Sequence, residues 1–231
     1  VDILPHPSPN FGERRGGARP ELVVLHYTAM ASCEAARDRL CDPAHEVSAH
    51  YLIGRDGRCL RLVEEPMRAW HAGAGRWRGA GDMNSRSIGI ELDNDGASPF
   101  SEPQMACLER LLAGILTRWE IPPEGVIGHS DMAPARKIDP GPRFDWRRLA
   151  RQGLSVWPEA GRSGGGGCDG GDLFTDLARF GYDPEAPREA VLAAFRTRFR
   201  PGAGGAPTAA DAALAADLAA RFAVDRGDGL T

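Results

Sequence analysis

Two histidines and an aspartate stand where a chain places metal ligands. His26 closes the apolar run ELVVL (21–25) and His129 closes GVIG (125–128). Side chains at the carboxyl ends of strands in α/β layers point into a crevice while the strands hold them rigid. Ten residues after His129, Asp139 precedes Pro140-Gly141-Pro142, whose restricted backbone fixes a loop returning toward the strand end. Two imidazoles and one carboxylate leave a fourth tetrahedral position open for water, the pattern of a catalytic zinc site. Each histidine taken singly is more often a hydrogen-bonded core residue than a ligand, and Asp131 is a rival carboxylate.

Further reactive side chains accompany this set. Of 28 basic residues 27 are Arg, and Lys137 is the single Lys. An ammonium is a compact donor whose pKa shifts on burial, unlike a guanidinium. A lone Lys two residues before Asp139 therefore suggests a chemical task, the alternative being a compositional remnant. Glu91 lies in SIGIELD (87–93), where Ile88, Ile90 and Leu92 share one face and Glu91 takes the other. Taken alone, a carboxylate on the non-core face is solvated. His50 opens the run HYLIG (50–54) and His71 follows Trp70; without context they read as a strand histidine capping a neighbour and a loop histidine.

The elements that must position these residues are short β-type runs alternating with helical patterns. The runs are 21–27, 50–54, 58–63, 87–93 and 125–129, with Asp56-Gly57 marking a hairpin between the second and third. A helix is predicted over 102–119. Ser101 and Gln104 suggest a capping box, and Met105, Leu108, Leu111, Leu112, Ile115, Leu116 and Trp119 make one apolar stripe. The expected fold class is α/β, a mixed central sheet flanked by helices over residues 1–160. Residues 161–171 contain seven glycines and read as a linker. Helical patterns at 172–180, 187–198 and 208–223 predict a small three-helix domain over 172–231. A cut in the linker is then expected to leave residues 1–160 folded.

Composition excludes several partner classes. With 28 Lys+Arg against 32 Asp+Glu and a net charge of −4, the chain lacks the basic footprint that grips nucleic acid phosphates. No apolar run approaches the roughly 20 residues of a membrane-spanning helix. Cys33, Cys41, Cys59, Cys107 and Cys168 have no metal-type spacing and read as reduced thiols. Together with a start that lacks a secretory signal, they point to the cytoplasm. A first residue other than Met leaves room for a removed leader, and with it a periplasmic or outer-membrane-associated location.

The segments VVLHYTAM (23–30), EVSAHYLIGRDGRCLRLVEE (46–65), AWHAG (69–73), SIGIELDN (87–94) and GHSDMAPARKIDPGPRFDW (128–146) resemble the AmpD-like zinc-dependent N-acetylmuramoyl-L-alanine amidases. That family shares its fold with the peptidoglycan recognition proteins and the phage amidase lysozymes. The resemblance implies Zn2+ held by His26, His129 and Asp139, with Asp139 preferred to Asp131 because the family's ligand precedes Pro-Gly. It implies Glu91 as general base, Lys137 as oxyanion donor, and His50, Trp70 and His71 along the substrate cleft. Some phage relatives carry a catalytic Tyr just before the residue matching His50; Ala49 stands there, so the burden falls on Glu91.

The implied reaction is hydrolysis of the amide joining N-acetylmuramic acid, or its anhydro form, to L-alanine in peptidoglycan fragments, with release of stem peptides. The alternative is a recognition module that binds muropeptides without cleaving them. The segment from 172 resembles, less specifically, the three-helix peptidoglycan-binding domain attached to some of these amidases; the other reading is a helical appendage packed on the catalytic domain.

Overall fold

The valine- and isoleucine-rich runs form one mixed sheet, and the computed structural model describes residues 2–159 and 172–223 of the chain. In chain order the strands and α-helices are β1 (Ile3–Pro5), β2 (Phe11–Gly12), β3 (Leu22–Tyr27), α1 (Cys33–Cys41), β4 (Tyr51–Ile53), β5 (Cys59–Arg61), β6 (Arg68–Ala69), α2 (Met83–Arg86), β7 (Ser87–Leu92), α3 (Glu102–Trp119), β8 (Val126–Gly128), α4 (His129–Met132), α5 (Trp146–Arg151), α6 (Leu173–Phe180), α7 (Arg188–Phe199) and α8 (Ala209–Phe222). Six strands lie in the order β1-β5-β4-β7-β3-β8, while β2 and β6 pair separately. Within the large sheet only β4–β5 is antiparallel. This pair is the expected hairpin. Gly57 takes φ +85° in its turn, and a Cβ there would meet the Pro103 carbonyl oxygen at 2.8 Å, so only glycine fits.

Register places the chemistry. His26 on β3 lies directly opposite Glu91 on β7, and opposite residues in a ladder project to the same face. On the other face Val23, Leu25, Ile88 and Ile90 pack against Met105, Leu108, Leu111, Leu112 and Ile115 of α3. The α3 helix has the predicted bounds, but its cap is half of the expected box. Ser101 Oγ accepts from the Gln104 amide, while the Gln104 side chain donates to the carbonyls of Ile53 and Asp93. Two interior carbonyls outcompete the helix end for that amide.

The face carrying His26 is covered as well. Leu22, Val24 and Ile127 share an apolar cluster with Trp77, Met83 and Met132, and with Leu177, Phe180, Phe195, Phe199 and Leu218 of α6, α7 and α8. The three C-terminal helices thus pack on the sheet in one continuous core. The expected linker, 161–171, and Cys168 lie outside the described residues. Cys33, Cys59 and Cys107 are buried and free, and Cys41 is free and partly buried.

Candidate metal centre and catalytic cleft

Three elements bring the expected ligands together. His26 projects from the end of β3. His129 begins α4 instead of ending a strand, because β8 stops at Gly128. The amide of Ser130 donates to the Asp139 carbonyl at 3.0 Å, tying the loop that carries Asp139 to the first turn of α4. His26 Nδ1 lies 2.9 Å from His129 Nδ1 and 3.0 Å from Asp139 Oδ2, and His129 Nδ1 lies 3.1 Å from the same oxygen. Among the described residues this is the one group of three or more such side chains that could hold a metal.

The protons around this triangle can be traced. Ser87 Oγ donates its single hydrogen to the Met83 carbonyl, so at 3.2 Å it must accept from His71 Nε2. Burial, followed by the neighbouring His26 and His50, keeps His71 neutral by lowering its pKa well below the usual value. Its Nδ1 is therefore bare and accepts from His26 Nε2 at 3.0 Å. His26 is also neutral, its pKa lowered to about 4 by burial and by His129, which leaves its Nδ1 as a lone pair. His129 Nε2 donates to the Ala72 carbonyl at 2.9 Å, which turns its Nδ1 inward. Two imidazole nitrogens and a carboxylate oxygen thus converge within 3.1 Å of one another, donor atoms spaced to share one cation. The donor set, the second-layer hydrogen bonds and the open fourth position fit zinc.

A cleft of about 560 Å³ opens over the triangle, with Glu91 and Lys137 in its wall and Trp70 and Ile138 at its rim. Ile138 is 68% exposed. Glu91 Oε2 is shut off from solvent and has no hydrogen-bond partner. Burial, and next the Asp139 charge, raise its pKa to about 8, with Lys137 opposing. A carboxyl poised near neutrality beside a site for acidified water suits proton transfer.

One expected cleft residue, His50, is placed otherwise. His50 is fully buried; its Nδ1 accepts from the Gly89 amide at 2.9 Å and its Nε2 faces the Met67 carbonyl at 3.1 Å. Both nitrogens are occupied below the cleft floor, so His50 does not reach substrate. His71 borders the cleft as expected, and its two nitrogens face Ser87 and His26. It lies flat on β7, where a Cβ at Gly89 would come within 2.3 Å of its ring. Sequence reasoning missed Arg136, whose guanidinium donates to the carbonyls of Ala72 and Ala74 and so fixes the loop against which His129 is oriented.

These buried neutral rings set an acid limit. His26 and His50, the latter with a pKa lowered to about 3 by burial and Arg14, and His71 are titrated at about 6.5 in the unfolded chain. Their depressed folded values make the stability they permit complete above pH 6.5 and lost as pH falls toward the folded values. Glu91, whose folded pKa is raised, acts oppositely and offsets part of this loss as pH falls from 7 to 5. The metal-stripped protein is expected to be less stable at pH 5 than at pH 7, the three imidazoles outweighing the one carboxyl. Urea unfolding at the two pH values checks this, and an unchanged or higher midpoint at pH 5 contradicts it.

Comparison with known proteins identifies the family. Residues 16–142 match the Amidase_2 family, described as N-acetylmuramoyl-L-alanine amidase. The chain is 40% identical over 212 residues to N-acetylmuramoyl-L-alanine amidase AmiD of Escherichia coli (strain K12), covering 79% of this chain and 76% of that protein. The solved structure of AmiD with the substrate anhydro-N-acetylmuramic acid-L-Ala-D-gamma-Glu-L-Lys superposes with a TM-score of 0.77 at 36% identity, covering 92% of this chain and 98% of that one. AmpDh3 from Pseudomonas aeruginosa superposes with a TM-score of 0.79 at 31% identity, covering 90% and 94%. The 1,6-anhydro-N-acetylmuramyl-L-alanine amidase AmpD of Enterobacter cloacae is 35% identical over 166 residues, 64% of this chain and 89% of that protein. By its matched segment, its relatives and its sheet, the chain belongs to the Amidase_2 family of N-acetylmuramoyl-L-alanine amidases.

Proposed function

We propose that this chain is a zinc-dependent amidase that cleaves the bond between the lactyl carbonyl of N-acetylmuramic acid, or its anhydro form, and the nitrogen of L-alanine in peptidoglycan fragments. The observation that carries this reading is the convergence of His26 Nδ1, His129 Nδ1 and Asp139 Oδ2 beside the unpartnered Glu91 Oε2. Zinc, when bound, supplies Lewis acidity that brings water toward a pKa of 7 and polarises a carbonyl. Glu91 takes the proton of the attacking water, whose oxygen bonds to the carbonyl carbon. The same carboxyl returns that proton to the alanine nitrogen as the C–N bond breaks. Lys137, in the same cleft wall, donates to the carbonyl oxygen as it gains negative charge. Trp70 and Ile138 at the rim offer apolar surface to the sugar and the first residues of the peptide.

The products are the amino sugar and a free stem peptide, which places the activity in cell-wall turnover and recycling. Free thiols at Cys33, Cys41, Cys59 and Cys107 suit a reducing compartment, and on that ground we assign the cytoplasm. Among the described residues no helix is long and apolar enough to cross a membrane. Mass spectrometry of digests tests the reaction. Soluble anhydro-muropeptides should yield equimolar anhydro-disaccharide and intact stem peptide. Cleavage at any other bond, or binding without cleavage by the zinc-loaded protein, contradicts it.

A further inference from the structure

Asp131, the rival carboxylate of the sequence, is 1% exposed and is bound from the far end of the chain. Its Oδ2 accepts from the Gly128 amide at 2.8 Å, which caps α4 immediately before His129. The same oxygen accepts from Arg198 Nη1 on α7 at 2.6 Å, and its Oδ1 accepts from the Tyr182 hydroxyl at 2.6 Å. Arg198 is 2% exposed. Its Nη2 donates to the Val126 carbonyl on β8 and to Ser155 Oγ, and its guanidinium carbon stands 4.2 Å from the centre of the Trp146 ring. Trp146 and Pro140 in turn close over Gly128, where a Cβ would meet Pro140 at 2.9 Å and Trp146 at 3.3 Å. One guanidinium from the C-terminal helices thus touches the strand before His129, the helix that begins with it, and the aromatic ring packed against the loop that carries Asp139.

We propose that the C-terminal helices complete the metal centre, with Arg198 and Tyr182 as positioning residues that fix Asp131 and, through the α4 cap, the inward direction of His129 Nδ1. This rests on the metal-site reading above. Burial, and next the Asp131 charge, hold the Tyr182 phenol well above its ordinary pKa, so it remains a donor. A cap whose carboxylate lost these partners would leave a buried charge to find others, and the most available are the amides of the α4 turn itself. The helices therefore act on the reaction through the α4 cap.

The test measures zinc affinity by chelator competition, and the d–d spectrum of the cobalt-substituted protein, in the full chain. Arg198→Met is expected to weaken zinc 10–100-fold and to alter the cobalt bands. Tyr182→Phe, which removes one hydroxyl and keeps the ring, should weaken it several-fold and serves where Arg198→Met fails to fold. Leu218→Ala, in the same apolar cluster but remote from Asp131 in hydrogen bonding, should lower the unfolding midpoint and leave zinc affinity and cobalt bands unchanged. Wild-type affinity in both Arg198→Met and Tyr182→Phe, or equal loss in Leu218→Ala, overturns the proposal while leaving the metal site standing. A wild-type chain that binds no zinc overturns the metal-site reading and this one together.

Discussion

Glu91→Gln is expected to lower turnover of a soluble muropeptide by about 10² or more at saturating substrate while zinc stays bound. The amide keeps the size of the side chain and removes its ability to hold a proton. None of the three converging atoms of His26, His129 and Asp139 is removed, since Glu91 lies on the neighbouring strand. The substitution also replaces a buried group whose ionisation the site opposes, so the variant should be at least as stable as the parent at pH 7. Equal turnover in Glu91→Gln would remove the general base from the mechanism. Loss of zinc in that variant would instead place Glu91 among the ligands.

The second large effect concerns residues 172–231. A chain ending at residue 159 is expected to lose cooperative folding, the opposite of what the glycine content of 161–171 suggests by itself. Trp77 packs edge-on against Phe180 and Tyr182 with ring centres 5.5 and 5.1 Å away, and Leu22, Val24, Ile127 and Met132 share the same cluster. Burial of a large apolar side chain contributes about 1.5–3 kcal/mol. Uncovering five of them costs on the order of 10 kcal/mol, comparable to the whole net stability of a domain. The cut also strips Asp131 of Arg198 and Tyr182, a buried pair whose rupture alone costs about 3–5 kcal/mol. A soluble 1–159 chain with a sharp thermal transition and wild-type turnover would show that the helices are separable.

What could be read from the sequence follows from how local each cause is. The faces of His26 and Glu91 were legible because strand alternation fixes them, while the role of Glu91 came only through resemblance and its pairing with His26 only through the sheet register. Helix α3 was legible because its apolar residues recur along 18 positions. Helix α1 was not, since it buries little beyond Cys33, Ala36 and Leu40 and its residues carry no stripe. The roles of His50 and His71 depend on Gly89, Ser87 and Met67 coming close across separate segments, and nothing in their own neighbourhoods signals it. Asp131 looked like a competing ligand because its real partners, Arg198 and Tyr182, lie 67 and 51 residues away. Glycine-rich composition describes the connection and says nothing of the faces on either side of it.

The central claim is that His26, His129 and Asp139 hold one catalytic metal, and elemental analysis of protein purified without chelators tests it most directly. The account predicts one zinc, or one substituting divalent ion, per chain, absent from Asp139→Ala and retained in Asp131→Asn with weaker affinity. Stripping the metal should abolish cleavage and one equivalent of zinc should restore it. Full activity in a metal-free chain, or stoichiometric metal retained by Asp139→Ala and lost from Asp131→Asn, would contradict it.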